Sequence, residues 1–221
     1  MGRPKGKRSP GYAERRQELA RRVFQTILED GNTSLRAMAE RTAVSRPTLR
    51  HYFGSREGAV NAALATAACI GRPHQERLAE LPIDDARTTL TDALRLLVMG
   101  WRDLGVGRIH EVGLKTGLED ERTARTYVSD ILEPLLQAVE RLLVRLVNAE
   151  RLSPLDTRQG ALMLVSPVVM ALLHQDGLGG GGIRPLGIES MVDTIVDAFC
   201  RAHVAGSGTQ EGRELVGTLG R

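Results

Sequence analysis

Aromatic residues, cysteine and lysine are all scarce in this chain of 221 residues. Phe, Trp and Tyr make up 3% of it, only two cysteines are present, and 27 of the 30 basic residues are Arg. Cys69 and Cys200 lie far apart in apolar helical stretches, with no second Cys or His at ligand spacing, so no disulfide framework or metal site is predicted. We expect two buried thiols in a reducing cytoplasm.

Signals for export, membrane insertion and catalysis are also lacking. The basic N-terminus is not followed by an apolar run, so no signal peptide is expected. The longest apolar run, Ala161–Leu173, is interrupted by Ser166 and Pro167 and is shorter than the roughly 20 residues of a membrane span. No nucleophile with a base, carboxylate pair or metal cluster appears. The sequence therefore favours a cytoplasmic protein that is not an enzyme and needs no cofactor.

Charge is divided unevenly along the chain. Residues 1–60 hold 13 Lys/Arg and 6 Asp/Glu, a net charge of +7, whereas residues 61–221 hold 17 and 21, a net charge of −4. The sum agrees with the overall net charge of +3. A basic N-terminal quarter on a mildly acidic body indicates that the basic part binds a polyanion.

The stretch from Ala39 to Glu57 predicts two short helices separated by tight turns. Ser45 is placed to cap the second helix, and Pro47 falls in its first turn, where a missing N–H costs nothing. Leu49 and Phe53 lie four residues apart and form the inward edge. The other side chains are hydrogen-bonding or cationic, which is typical of a recognition helix that enters the DNA major groove.

Helical periodicity continues through the rest of the chain, with no strand signal. Gly31 is expected to end the first helix, and Ser34 and Ser55 to cap the second and fourth. Pro134 should kink the long helix that contains it, and Asp156 begins a capping box. The expected helices are Tyr12–Asp30, a second after Ser34, a third after Ser45, 55–70 ended by Gly71-Arg72-Pro73, one from Asp84 onward, a short Ile109–Lys115 within an irregular 105–120, Thr123–Asn148, one from Asp156 to His174, and Ile188–Val204.

The fold class is therefore all-α, with about nine helices in two functional parts. A three-helix helix-turn-helix head is predicted for 11–56, and a larger helical domain for ligand binding and dimerisation for 57–204, with helix four as the connector. Residues 1–10 form a basic arm and 205–221 a polar tail. The arm is either a solvated tail or a segment that orders on DNA, with Arg3 in a narrow minor groove.

The helix that follows Asp156 is apolar on nearly all sides. In a domain of this size both of its faces must be covered, so one is expected to meet the core and the other a second copy of the protein. The predicted dimer interface consists of Val165, Val169, Leu172, Met191, Ile195 and Phe199.

Few large side chains are left to bind a ligand in the body. Trp101 and Tyr127 are the large contacts expected, and His110, Glu111 and His174 are candidate polar anchors. Trp101 is alternatively a simple core residue. A pocket lined mainly by aliphatic side chains favours an aliphatic or amphipathic effector over a flat polyaromatic cation.

Taken together, these residues resemble the head of the TetR/AcrR family of transcriptional regulators. The resemblance is specific over Ser34–Val60, where Val44-Ser45, Thr48-Leu49 and Tyr52-Phe53 match the family pattern. It implies a two-fold dimer whose third helices bind a palindromic operator and whose body binds a small molecule that releases DNA. By the same resemblance, the DNA contacts are Ser34, Arg36, Ser45, Arg46, Pro47, Thr48, Arg50, His51, Tyr52 and Arg56.

Three positions depart from the family pattern. Ala43 stands where a Gly is usual in the turn, which predicts a strained or altered turn. Arg50 replaces a phosphate-binding Tyr and could instead read guanine. Arg56 replaces a Lys and keeps its charge. The resemblance implies a ligand-released repressor; the alternatives are a DNA-binding regulator or architectural protein without a ligand, and, more weakly, an enzyme whose basic head binds RNA or an acidic substrate.

Overall fold

The computed structural model describes residues 11–204, and the predictions for the Arg3 arm and the 205–221 tail lie outside them. Within this range the chain is helical and has no strand. The helices are α1 Tyr12–Asp30, α2 Leu35–Arg41, α3 Arg46–Phe53, α4 Arg56–Ala79, α5 Ala86–Asp103, α6 Val106–Glu119, α7 Glu121–Tyr127, α8 Glu133–Asn148, α9 Thr157–Leu172 and α10 Ile188–His203. A π turn, Val128–Leu132, joins α7 to α8, so the described residues form nine continuous helical stretches, as predicted.

The predicted starts and ends of the first helices are confirmed. Gly31 adopts φ 68° and its N–H donates to the carbonyl of Ile27, which ends α1. The Ser34 hydroxyl accepts from the N–H of Ala37, the Ser45 hydroxyl from that of Thr48, and the Ser55 hydroxyl from that of Gly58. Each cap satisfies a backbone donor that a helix leaves unpaired in its first turn.

Helix α4 ends nine residues later than predicted, because it passes through Gly71 and Pro73 and continues to Ala79. Leu78 and Ala79 are buried at its end, and this packing offsets the hydrogen bond that Pro73 removes. Arg145 of α8 donates from one guanidinium nitrogen to the carbonyls of Ala79 and Leu81, at 2.7 and 2.9 Å. The local stop signal was therefore overridden by contacts distant in sequence.

Helix α6 is also longer than predicted, because its glycines are packing positions rather than breaks. A Cβ atom on Gly107 would lie 2.6 Å from Nε1 of Trp101, and one on Gly113 would collide with the ring of Tyr127. A Cβ on Gly117 would lie 3.1 Å from Cα of Ala124. Only glycine permits these close approaches, so the predicted irregular segment is a helix of 14 residues.

The helical stretch around Pro134 confirms the expected disturbance and shows its form. The Glu133 N–H donates to the carbonyl of Val128, which makes the turn before Pro134 a π turn. A wider turn relieves the clash that a proline ring makes with the carbonyl four residues earlier.

The chain divides into two compact units. The first contains the head, the N-terminal part of α4, and 99–135; the second contains 76–98 and 136–204 of the described residues. In the second, Asp156 caps α9 by accepting from the N–H of Gln159 at 3.0 Å, and α9 packs against α10. One stretch among the described residues, Thr157–Gly177, is long and apolar enough to span a membrane, and 44% of its apolar 18-residue window is buried inside the protein. The cores of soluble proteins contain helices with the same properties.

Candidate nucleic-acid interface and effector site

Helix α3 is held in the head by two side chains. Leu49 is fully buried and Phe53 is 9% exposed, and both belong to the core that also contains Phe24, Ile27 and Met38. Pro47 lies in the first turn, as predicted. The inward edge expected from the spacing of Leu49 and Phe53 is confirmed, and the remaining surface of α3 is left for other contacts.

The outer surface of α3 presents two arginines and a histidine. Arg46, Arg50 and His51 are exposed, and among residues 11–204 no carboxylate lies within ion-pair distance of the two arginines. Neighbouring arginines differ in this respect. Arg36 pairs with Glu40 at 2.8 Å, and Arg41 pairs with Asp30 and Glu29 at the end of α1. Among the described residues, the two arginines of α3 therefore differ from those of α2, which are held by carboxylates.

The N-terminal end of α1 holds the C-terminal end of α3, a contact that the sequence did not reveal. The ring of Tyr12 stacks on that of Tyr52 at 4.9 Å, and its hydroxyl donates to the His51 carbonyl at 3.4 Å. Arg16 donates to the Tyr52 carbonyl at 3.4 Å and lies over the Phe53 ring. These contacts leave Tyr52 half-buried. Of the other predicted DNA contacts on α3, Thr48 is also half-buried and Pro47 is exposed.

The turn between α2 and α3 has the strain that its sequence predicted. Ala43 adopts φ 53°, in the left-handed region that costs an L-residue roughly 1–2 kcal/mol. The buried Thr42 hydroxyl donates to the Met38 carbonyl at 2.6 Å and helps to close the turn. The helix-turn-helix geometry is kept without the usual glycine.

Arg56, the predicted phosphate contact at the start of α4, is engaged by two carboxylates. Its Nε pairs with Glu57 at 2.8 Å and its Nη2 with Glu119, the last residue of α6, at 3.1 Å. The hydrogen bond that Arg56 donates is the main reason why the pKa of Glu57 falls to about 2. The pKa of Arg56 is raised by the hydrogen bonds that it donates to Glu57 and, to a smaller extent, to Glu119. DNA would therefore have to compete with Glu119 for this guanidinium.

Three of the five predicted effector residues come together in one buried cluster. The rings of Trp101 and His110 stack at 5.0 Å, and Nδ1 of His110 is hydrogen-bonded to the Tyr127 hydroxyl at 2.9 Å. All three side chains are at least 93% buried. Burial lowers the pKa of His110 to about 4 and raises the pKa of Tyr127 to about 12, so both groups are neutral near pH 7.

The other two predicted effector residues lie outside this cluster. Glu111 is half-buried and pairs with Arg108 at 2.9 Å. His174 is exposed, lies in the second unit, and is hydrogen-bonded to Gln175. The cluster itself is closed, because a Cβ atom on Gly107 or Gly113 already finds no room beside it.

The predicted dimer residues divide into two groups. Val165, Leu172 and Phe199 are at most 4% exposed and belong to the core of one protomer, so their side chains are not available to a partner. Val169, Met191 and Ile195 are half-buried. The apolar side chains that α9 exposes were missed by the sequence analysis and are Leu162, Met163 and Met170. Periodicity located an apolar helix but could not tell which of its apolar sides faces the core.

The cysteines differ in exposure, which corrects one expectation. Cys200 is buried, and burial raises the pKa of its thiol. Cys69 is exposed. No group of three or more potential metal ligands is found among residues 11–204.

The structure is similar to solved structures of TetR-family regulators. A putative TetR-family transcriptional regulator from Mesorhizobium loti has a TM-score of 0.70 at 15% identity, covering 89% of this chain and all of that one. SmeT, the repressor of the Stenotrophomonas maltophilia multidrug efflux pump SmeDEF, has a TM-score of 0.58 at 18% identity, covering 88% and 93%. FadR from Bacillus subtilis, solved with stearoyl-CoA, has a TM-score of 0.60 at 11% identity, covering 81% and 96%.

No family model matches the sequence, and comparison with curated proteins gives no match. The structural similarity nevertheless establishes the fold, which is that of the TetR-family transcriptional regulators. The expected all-α architecture is confirmed.

Buried, neutral His110 makes the stability of this fold depend on pH. An unfolded histidine has a pKa of about 6.5, so the unfolded chain binds the proton first as pH falls. The contribution of neutral His110 to the free energy of unfolding is therefore fully present above pH 6.5. It is lost between about pH 6.5 and 4, which lowers the free energy of unfolding by up to about 3 kcal/mol. Urea unfolding followed by Trp101 fluorescence should show this loss, and His110→Gln should remove it, since glutamine keeps a polar group beside Tyr127 but does not titrate. His74→Gln is the control, and an unchanged pH profile in His110→Gln would contradict the assignment.

Proposed function

We propose that this protein is a sequence-specific DNA-binding transcriptional regulator that acts as a dimer on a palindromic operator. The observation that carries the proposal is α3, a capped helix anchored by Leu49 and Phe53 whose exposed surface presents Arg46, Arg50 and His51 without neutralising carboxylates. Such a helix fits the major groove, where arginine donates to guanine O6 and N7. Pro47 and Thr48 can offer apolar contact to a thymine methyl group.

Phosphate contacts would set the position of α3 on the duplex. The resemblance in sequence assigns this role to Ser34, Tyr52 and Arg56, whereas it places Arg36 among the base contacts. The hydroxyls of Ser34 and Ser45 already cap helices, so their contribution to DNA binding would come through the helix ends that they stabilise.

A small-molecule effector that releases DNA is the second part of the proposal. The Trp101–His110–Tyr127 cluster involves α6, and the last residue of α6 is Glu119, which pairs with Arg56. A ligand that opens the cluster would shift α6 and thereby change how strongly Glu119 holds the phosphate-binding guanidinium. An aliphatic or amphipathic effector fits the aliphatic surroundings, and one structural neighbour was solved with stearoyl-CoA.

A regulator that binds DNA without a ligand is the alternative, and the closed cluster favours it. His110 and Tyr127 are hydrogen-bonded to each other, Trp101 stacks on His110, and the neighbouring glycines leave no room beside the rings. Repression, a cytoplasmic location and the absence of catalysis are parts of the same proposal. They rest on the TetR-family fold and on the lack of a catalytic constellation in the sequence.

The direct test is a binding selection from random duplex DNA at physiological salt with purified protein. We expect an enriched palindrome, because two recognition helices related by a two-fold axis read inverted half-sites. Arg46→Ala should weaken binding to the selected site by about 1–3 kcal/mol and relax the preference at one base pair in each half-site. Arg125→Ala, an exposed arginine on α7, is the matched control and should leave the preference intact. Salt-sensitive binding with no enriched sequence would refute sequence-specific recognition.

The proposed dimer uses the exposed apolar surface of α9. Met163 and Met170 are 58% and 62% exposed, and a second copy that covers them would account for a helix that is apolar on all sides. Replacing both with Asp should convert the dimer to a monomer, as measured by sedimentation equilibrium, and should strongly weaken operator binding. These side chains are outside the core, so the variant should keep its helical content.

Val144→Asp is the matched control for the dimer experiment, since Val144 is an exposed apolar residue on α8. It should remain dimeric. A stable dimer of the double α9 variant would place the interface elsewhere.

A further inference from the structure

A groove with a volume of about 1020 Å³ lies between α1, α4 and α7 in the unit that contains the head. Each helix contributes a stripe of residues at helical spacing. The α4 stripe is Gly58, Asn61, Ala62, Ala65, Thr66, Cys69 and Ile70. It faces α1 from Tyr12 to Arg21, Arg122 and Thr126 of α7, and Asp130 of the π turn that follows α7. This site is separate from the Trp101 cluster, whose residues do not line it.

The groove is open because small residues line its apolar surface. Ala13 and Ala20 on α1 and Ala62 and Ala65 on α4 stand where larger side chains would bring the helices into contact. The volume is at the upper end of what small-molecule sites have, roughly 300–1000 Å³. Small residues explain why this space exists, but they do not by themselves indicate a ligand.

The side-chain amide of Asn61 is the feature of the groove that indicates a ligand. Its side chain lines the groove and is 91% buried, yet neither the amide oxygen nor the amide nitrogen has a hydrogen-bond partner. A buried amide without partners is strongly unfavourable for the folded protein, and native structures rarely keep one without a reason. A ligand with a hydrogen-bonding group at this place would satisfy it.

The charged side chains of the groove favour an anion. Arg16, Arg21 and Arg122 line it against Glu14 and Asp130, which leaves a net charge of +1. Arg21 pairs with Glu18 at 4.0 Å. No carboxylate in the described part of the chain pairs with Arg122 or Arg16, and Arg16 makes a long hydrogen bond to the Tyr52 carbonyl and lies over the Phe53 ring. Guanidinium groups bind carboxylates through paired N–H donors.

We propose that this groove binds a small organic acid that carries a second hydrogen-bonding group. Its carboxylate pairs with Arg16 and Arg122, its apolar body lies on the alanines, and its second polar group bonds to Asn61. The binding site stands independently of the regulator function. Its effect on DNA rests on that function, because Arg16 also contacts Tyr52 and Phe53 at the end of α3.

Cys69 provides a probe inside the groove that can be used before the natural ligand is identified. It is exposed, it lies about 12 Å along α4 from Asn61, and Cys200 is buried. The full-length protein is equilibrated separately with the disulfides of 3-mercaptopropionate and cysteamine, each with excess thiol, and the mixed disulfide at Cys69 is measured by mass spectrometry. The two probes are similar in length and opposite in charge.

We expect the anionic probe to be favoured at Cys69 by about tenfold, since the exposed guanidinium groups of Arg16 and Arg122 attract the anion and repel the cation, and the two effects add. Arg122→Gln should reduce the preference several-fold. Arg125→Gln removes the same charge from the same helix outside the groove and should leave the preference nearly unchanged. Equal effects of the two variants would mean that only the general charge of the protein acts, and would overturn the proposal.

Substitution of Asn61 tests the second contact. If its amide is kept for a ligand, Asn61→Leu should unfold less readily than the wild type in the absence of ligands, with an unfolding constant lower by about tenfold. Asn61→Ala is the second variant, in case leucine does not fit. If both variants unfold more readily, the amide has a structural role and the proposal fails. No DNA is present in either experiment, so their failure is distinguishable from failure of the binding selection.

Discussion

The close approach of α6 to the aromatic residues beside it is the constraint on which the first unit depends. Gly107 lies against Trp101 and Gly113 against Tyr127, where no larger residue fits. This approach lets Ile109 and Val112 enter the same hydrophobic core as the residues of α1, α2 and α3. The helix-turn-helix head is therefore not packed as a separate small domain. Its core continues into α6 and α7.

The two features on which the proposed regulation rests consequently lie on one helix. The middle of α6 carries His110, held neutral between Trp101 and Tyr127, and its end carries Glu119, paired with Arg56. Because α6 is closely packed at Gly107 and Gly113, the proposed effector would act on Glu119 by displacing the helix as a unit. An exposed ion pair contributes little to stability, about 0–1 kcal/mol, so the Arg56–Glu119 pair can be broken by DNA or by a small shift of α6.

The sequence was most informative where short-range interactions decide the structure. The caps at Ser34, Ser45 and Ser55 and the left-handed Gly31 were predicted correctly, because each depends on neighbours within four residues. The anchors of α3 were also predicted, because the helical spacing of Leu49 and Phe53 places both on one side of the helix.

Predictions were wrong where distant contacts decide the structure. Gly71 and Pro73 resemble the end of a helix, but buried Leu78 and the guanidinium of Arg145 extend α4 beyond them. The glycines of α6 resemble those of a loop, yet Gly107 and Gly113 lie in a helix and pack against Trp101 and Tyr127. Among the site residues, the sequence predicted Trp101, His110 and Tyr127, but not that they pack into a closed cluster. It also predicted that α9 is apolar, but not which side of the helix stays exposed. No local pattern pointed to Tyr12 or Arg16 as supports of α3, or to Asn61.

The most direct test of the account is a double-mutant cycle on the Arg56–Glu119 pair, with affinity for the selected operator as the measured quantity. Glu119→Ala should tighten binding when Arg56 is present, because the guanidinium is released to a phosphate. In the Arg56→Ala background the same change should have almost no effect, so the two substitutions should be clearly non-additive. If Glu119→Ala changes the operator affinity equally in both backgrounds, the pair does not connect α6 to DNA binding, and the central claim is wrong.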